Sequence, residues 1–176
     1  KKGKGLALRD VKENGANKCL LYGSLYTKYN EVISECVEYT DKRESVFGNT
    51  NDLLVPASTT TSGIDLATFS CLKIDEVMIG GDVTILTPIN TQDSRWWAYY
   101  LSHYKKNDVA KFAQGSTIVH LYFNHFKKLS VDYPTIEEQK RIAEFLMNMD
   151  ENISSVQTQI NIHIELKKGL LQQMFV

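Results

Sequence analysis

The chain has 176 residues, 43% of them apolar and 23% charged, with a formal net charge of −1. That composition is ordinary for a soluble globular protein of one domain plus an additional element, and its overall charge gives no general affinity for nucleic acid. No apolar run approaches the length of a membrane span, and the basic start KKGKGLALRD lacks the apolar core of a secretory signal. Cys19, Cys36 and Cys71 are odd in number and have no C-x-x-C spacing. They read as buried, reduced thiols, which gives a cytoplasmic expectation.

In chain order, Lys18 to Tyr29 begins with a strand-like run (Leu20, Leu21, Tyr22), then Gly23-Ser24, then an exposed aromatic and basic loop. Tyr39 to Phe47 is polar and connects two elements. Asp52 to Val55 is a short apolar run stopped by Pro56. Ala57 to Gly63, a run of small hydroxyl residues ended by glycine, reads as a surface loop that supplies nothing to a core. Phe69–Ile74, Glu76–Ile79 and Val83–Leu86 read as strands, with a turn at Gly80-Gly81-Asp82. Ser94 is the candidate N-cap of a helix running from Arg95 to Phe112, whose apolar face is Trp96, Tyr99, Tyr100, Leu101, Tyr104, Val109 and Phe112. Ala113 to Thr117 breaks that helix. Ile118–Phe123 is β-prone, and Leu129–Tyr133 reads as a final strand. The expectation is an α+β protein: a mainly β domain over residues 1–133, followed by one long helix over residues 134–176.

The helix start is the best-marked boundary. Thr135 and Glu138 form a Thr-x-x-Glu capping box after Pro134. Beyond it, Ile142, Leu146, Met149, Ile153, Val156 and Ile160 recur in alternating steps of four and three, a heptad seam. The heptad then places His163 and Lys167 in the seam, while apolar residues continue at Ile164, Leu171 and Phe175, which amounts to a stutter. Run unbroken to Met174, such a helix is roughly 60 Å long, more than a small domain can cover. The stripe therefore predicts a partner helix; a helical hairpin is the alternative.

The sequence contains no H-E-x-x-H, P-loop, G-x-G-x-x-G or G-x-S-x-G motif, no zinc-type Cys/His spacing and no Asp/Asn-Pro-Pro-Tyr/Phe motif. The expectation is a non-enzyme without cofactor or metal. What remains is a surface. From Arg95 to Lys128 there are six Lys or Arg residues against one acid, whereas Glu31 to Glu44 holds five acids against two bases. Three polar, glycine-punctuated loops accompany the basic segment. For DNA contact the candidates are Tyr26, Lys28 and Tyr29; Ser58, Thr59, Thr60 and Thr61; and Arg95, Lys105, Lys111, Gly115, Ser116 and Thr117. For each loop an ordinary solvated connection is the competing reading. The candidate dimerisation residues are Ile142, Leu146, Met149, Ile153, Val156, Ile160, Ile164 and Leu171.

The tail P-T-I-E-E-Q-K-R-I-A-E-F-L at 134–146, followed by Asp150, Ile153 and E-L-K-K-G-L-L-Q-Q-M-F at 165–175, resembles the repeat region of type I restriction-modification specificity subunits. In that family the region typically reads Pro-x-x-x-Glu-Gln-x-x-Ile-Ala. Q-G-S-T-I-V-H-L at 114–121, G-S-L-Y-T-K-Y at 23–29 and I-G-G-D-V at 79–83 resemble the family's target-recognition domain. The resemblance implies a non-catalytic, double-stranded-DNA-reading subunit. Methyltransferase subunits, which bind S-adenosylmethionine, dock on it, and restriction subunits join them. It also implies two recognition domains held apart by two helices paired as an antiparallel coiled coil. This chain carries one domain and one helix, lacks an initiator Met and lacks the tryptophan-containing segment that usually opens the family's half-subunit. It therefore reads as a half-subunit or an excised fragment that forms a homodimer. Two other readings stand beside it: a dimerising coiled-coil scaffold that binds only protein, and the specificity subunit of a related bifunctional restriction-methylation system.

Overall fold

The computed structural model describes residues 1–89 and 91–175. The chain divides into two compact units, Lys1–Lys140 and Arg141–Val176.

A 3₁₀ turn at Leu8–Asp10 precedes β1 (Asn17–Leu20), a helical turn α1 (Ser24–Thr27), β2 (Val32–Ile33), β3 (Tyr39–Thr40), β4 (Val46–Gly48) and β5 (Leu53–Pro56). Then come β6 (Ser58–Thr59), α2 (Gly63–Leu66), β7 (Ser70–Leu72), β8 (Val77–Ile79) and β9 (Val83–Leu86). The remainder of the first unit holds α3 (Ser94–Tyr99), a π-helical turn (Tyr100–Tyr104), α4 (Lys106–Ala110), β10 (Val119–His120) and α5 (Phe123–Phe126), before α6 (Ile136–Met174) begins.

The strands form two four-stranded mixed sheets, ordered β3-β1-β8-β4 and β2-β7-β5-β9, and a two-stranded ribbon, β6-β10. The β1–β8 and β2–β7 pairs are parallel, and the other pairs are antiparallel. β5 shows why a short apolar run appears at Asp52–Val55. Leu53 and Val55 face one core, with Leu66, Phe69, Leu101, Val109 and Phe126, while Leu54 faces another, with Leu20, Leu72, Ile79 and Ile85. A strand buried on both faces needs apolar residues at consecutive positions rather than alternating ones. Pro56 continues β5 instead of stopping it, pairing with Val83 at the strand end, where a missing N–H costs least.

Several expectations change. Residues 23–30 are not an open loop: α1 follows β1, Leu25 is buried, and Tyr26 and Tyr29 pack against the two cores. The hydroxyl run contributes to the interior, because Ala57, Ser58 and Thr59 are buried and only Thr60, Thr61 and Ser62 face solvent. The α3 N-cap is Asp93, one residue before Ser94, and its carboxylate accepts the Arg95 backbone N–H at 3.0 Å. The helix expected over 95–112 is divided by the π-turn, which sets the rings of Trp96, Tyr100 and Tyr104 in a continuous stack at 4.5 and 5.4 Å. Tyr104, expected in the apolar face, ends that stack exposed. Leu129–Tyr133 forms no strand; it is irregular, lying between α5 and α6.

α6 begins where the capping box predicts, with Thr135 Oγ1 accepting the Glu138 backbone N–H at 3.4 Å, and it runs unbroken for 39 residues to Met174. Gly169 lies inside it and does not break it. No helix among the described residues is long and apolar enough to cross a membrane.

Candidate nucleic-acid interface

The three loops chosen from sequence meet around β6. The Tyr26 hydroxyl donates to the Ser58 carbonyl at 3.3 Å, fixing α1 to the hydroxyl run. β6 pairs antiparallel with β10, Thr59 opposite Val119 and Ser58 opposite His120, so the Gln114–Thr117 turn emerges beside it. At the far end of the hydroxyl run, a Cβ on Gly63 would lie 2.8 Å from the Ala113 Cβ, which explains the glycine. Gly115 has φ +125, a conformation that favours glycine, and a Cβ there would meet the Ile118 carbonyl oxygen. Ser116 and Thr117 are exposed next to it.

These elements enclose a groove of about 560 Å³ whose walls include Tyr26, Tyr29, Thr59, Thr61 and Lys106, with the carboxylates of Glu31 and Asp65. Burial pushes both tyrosine hydroxyls above their ordinary range, so they stay neutral hydrogen-bonding groups. Asp65 is held below the usual carboxylate range, first by the Thr61 hydroxyl at 2.5 Å and then by the Ser62 hydroxyl at 2.8 Å. It stays ionised and acts as an acceptor. Neutral phenols, threonine hydroxyls, two carboxylates and an amine along one concavity can read the donors and acceptors of base edges.

The charged members of this groove, Glu31, Asp65 and Lys106, were not among the contacts chosen from sequence. Asp65 was legible in principle, because Ser62-x-x-Asp65 has capping-box spacing, and Asp65 Oδ2 accepts the Ser62 N–H at 3.1 Å. Lys106 was not legible. It stands next to Lys105 in the chain, and only the packed position of α4 turns one of them into the groove.

The cations selected from sequence are all engaged by carboxylates. Lys28 Nζ reaches Glu38 at 2.8 Å, and Lys105 and Lys111 both reach Asp108, at 3.3 and 2.8 Å. The Arg95 guanidinium holds Asp93, with Nε at 2.9 Å. Arg95 also lies away from the groove, in a separate depression with Thr50, Lys73, Gln92 and Lys140. Burial raises the Asp93 carboxyl, but Arg95 and two backbone N–H groups outweigh it and hold the group below its ordinary value. His103, on the π-turn, meets Glu31 at 2.7 Å. Lys106 carries no ion pair among the described residues. No cluster of three or more His, Cys, Asp or Glu suited to a metal occurs among the described residues.

On α6, Met149, Ile153, Val156, Ile160, Ile164 and Leu171 are exposed, and Ile142 and Leu146 are half-buried. An apolar stripe of that length in solvent marks an interaction surface.

Comparison with known proteins agrees with the family resemblance carried by the tail. A family model described as the type I restriction modification DNA specificity domain matches residues 6–166. The type I restriction enzyme MjaVIII specificity subunit of Methanocaldococcus jannaschii is 26% identical over 157 residues, 88% of this chain and 35% of that protein. A second M. jannaschii protein, described as a putative MjaX specificity subunit, is 27% identical over 106 residues, 58% of this chain and 25% of its own length. The chain thus spans about a quarter to a third of the length of these relatives. In fold it is similar to the S subunit of the type I restriction-modification system of M. genitalium, with a TM-score of 0.61 and 19% identity over 92% of this chain and 39% of that one. A chain from a type I R-M system solved to explain its assembly and conformational transition gives a TM-score of 0.62 at 16% identity, covering 95% of this chain and 40% of that one. With the family model covering most of the chain, and with a mixed-sheet unit feeding one long helix, this protein belongs to the type I restriction-modification DNA specificity domain family.

Proposed function

We propose that residues 1–133 form a target-recognition domain that reads double-stranded DNA through the groove beside β6. In the same proposal residues 134–176 pair antiparallel with the helix of a second copy and hold two such domains apart. The protein acts in the cytoplasm as a non-catalytic specificity component, on which methyltransferase subunits and then restriction subunits assemble. The observation that carries this reading is convergence: Tyr26, Tyr29, Thr59 and Thr61, chosen from separate stretches of sequence, line one groove together with Lys106, which has no ion pair among the described residues. Family membership supports the same assignment. Of the thirteen residues chosen for DNA contact, these four hold the strongest position. Thr60 and the Gly115–Thr117 turn form the exposed rim, Ser58 positions Tyr26, and Lys28, Arg95, Lys105 and Lys111 serve first as ion-pair partners.

The deciding experiment is fluorescence anisotropy on a random-sequence duplex across a salt series. Lysine contacts to phosphate release counterions, so affinity should fall steeply, by at least about tenfold between about 50 and about 200 mM salt. An affinity that ignores salt would refute the assignment.

A second reading has an observation of its own. Neutralisation of Lys28, Arg95, Lys105 and Lys111 by carboxylates removes much of the positive surface that the sequence suggests. That pattern suits a dimerising scaffold whose surface binds only protein, and such a protein gives no anisotropy change with duplex even at the lowest salt.

A further inference from the structure

The groove beside β6 holds a single lysine, Lys106, against the carboxylates of Glu31 and Asp65. One phosphate contact lowers log affinity by about 0.9 per decade of salt, so Lys106 alone gives only about a 3.5-fold fall between about 50 and about 200 mM. A steeper fall needs further cations, and Lys28, Arg95, Lys105 and Lys111 are already bound to carboxylates.

The depression that contains Arg95 has two to offer. It has a volume of about 330 Å³, and Lys73, Arg95 and Lys140 line it against one carboxylate, Asp93. Asp93 is taken by Arg95, whose Nε lies at 2.9 Å. Lys73, just beyond β7, and Lys140, near the start of α6, are both exposed and carry no ion pair among the described residues.

The backbone around these two lysines is fixed before any ligand arrives. The Lys73 N–H donates to the Ile33 carbonyl at 2.9 Å. Asn51 joins the opposite wall together: its Nδ2 donates to the Gln92 carbonyl at 2.9 Å, and its Oδ1 accepts the Ser94 N–H at 2.8 Å. The buried Gln139 side chain, next to Lys140 in the chain, accepts the Asp93 N–H at 3.1 Å and so anchors the start of α6 to that wall. Asp75, two residues after Lys73, is directed at the Thr50 N–H at 2.8 Å.

The type of cation selects the ligand. The planar guanidinium fork that would suit a carboxylate belongs to Arg95, and Asp93 already occupies it. The two ammonium groups that remain are compact charges with three donors each, on flexible stems, and suit the non-planar oxygens of a phosphate diester.

We propose that this depression is a second DNA contact, in which Lys73 and Lys140 take backbone phosphates of the duplex whose bases the β6 groove reads. The proposal rests on the DNA-reading assignment above and adds a site that supplies affinity and orientation but no sequence information.

Anisotropy titrations of the 176-residue chain with a random-sequence duplex test it. Three lysine contacts predict a fall of about 40-fold between about 50 and about 200 mM salt for the wild type. Lys73→Ala with Lys140→Ala should reduce that fall to about 3.5-fold, and each single substitution should lower the salt slope by about one. Urea midpoints should match the wild type, because both side chains are exposed. The control removes the same charge elsewhere: Lys4→Ala with Arg9→Ala, at two exposed positions outside the depression, should leave the slope unchanged. The order of preference among duplexes selected from a random pool should also survive the Lys73 and Lys140 substitutions. An equal loss of slope in the control pair would show a general charge effect and overturn the site. A steep wild-type fall that persists in the Lys73 and Lys140 double variant overturns it too, and leaves the β6 groove in place. A wild-type affinity that ignores salt removes the DNA reading and this site together.

Discussion

The Gln139 side chain accepts the Asp93 backbone N–H at 3.1 Å, although 46 residues separate them. Its amide nitrogen donates to Gln92 Oε1 at 2.9 Å and to the Pro134 carbonyl at 3.0 Å. Gln139 is fully buried and satisfied on both ends. It lies in the Pro-Thr-Ile-Glu-Glu-Gln stretch that identifies the tail, and it ties the first turn of α6 to the N-cap of α3. The motif's glutamine is therefore a structural clamp: it is the residue that can donate and accept at that position while staying uncharged in the interior.

Removing the clamp should be costly. Gln139→Ala leaves the buried Asp93 N–H without its acceptor and removes one of the two donors to Gln92 Oε1, Trp97 Nε1 at 3.3 Å being the other, and should lower stability by about 1–3 kcal/mol in urea unfolding. Lys140→Ala, on the exposed side of the same turn, should stay within about 0.5 kcal/mol of the wild type. Equal effects of the two substitutions would show that the clamp contributes nothing.

Asp93 gives the fold an acid limit. Its folded carboxyl is held below the ordinary value, so at low pH the unfolded chain takes up a proton there first. The resulting stabilisation is complete above the ordinary aspartate pKa of about 4, and is lost as pH falls through the lower folded value. Asp93→Asn keeps a capping oxygen but loses the pair with Arg95. It should cost about 1–2 kcal/mol at neutral pH, and the gap from wild type should close as unfolding is measured at progressively more acid pH. A gap that widens towards acid would contradict the ion pair.

Lys28 and Glu38 form a half-buried pair. The Glu38 side chain is 3% exposed, and its Oε2 accepts no hydrogen bond among the described residues, so Lys28 is the principal compensation for that charge. Lys28→Met should destabilise by about 1–3 kcal/mol, less than a fully buried pair because the ammonium is half in solvent. Adding Glu38→Gln should return most of the loss, read as a coupling energy in a double-mutant cycle. Additive losses would mean that the two charges do not interact.

Lys106 and Lys111 separate groove from rim. Lys106 lines the groove, whereas Lys111 is bound to Asp108 at 2.8 Å. Lys106→Ala should weaken duplex binding across sequences and reduce the salt slope by about one, with Lys111→Ala having the smaller effect. Anisotropy titrations showing the reverse order would move the interface off the groove.

The sequence alone determined what is local. The α6 start follows from Pro134, Thr135 and Glu138, its length from the absence of any breaker strong enough to stop it, and its stripe from the heptad steps, because capping and helical periodicity act within a few residues. β7, β8 and β9 were visible for the same reason, as apolar runs punctuated by Gly80-Gly81. Tertiary structure decided whatever depends on neighbours far along the chain. Ser58 and Thr59 look like loop residues and become a buried strand because β10, some sixty residues later, supplies their hydrogen bonds. Leu129–Tyr133 looks like a strand and finds no ladder. Lys106 enters the groove while its neighbour Lys105 turns to Asp108. Strand pairing and ion pairing are contacts between distant residues, and no local propensity encodes which partner arrives.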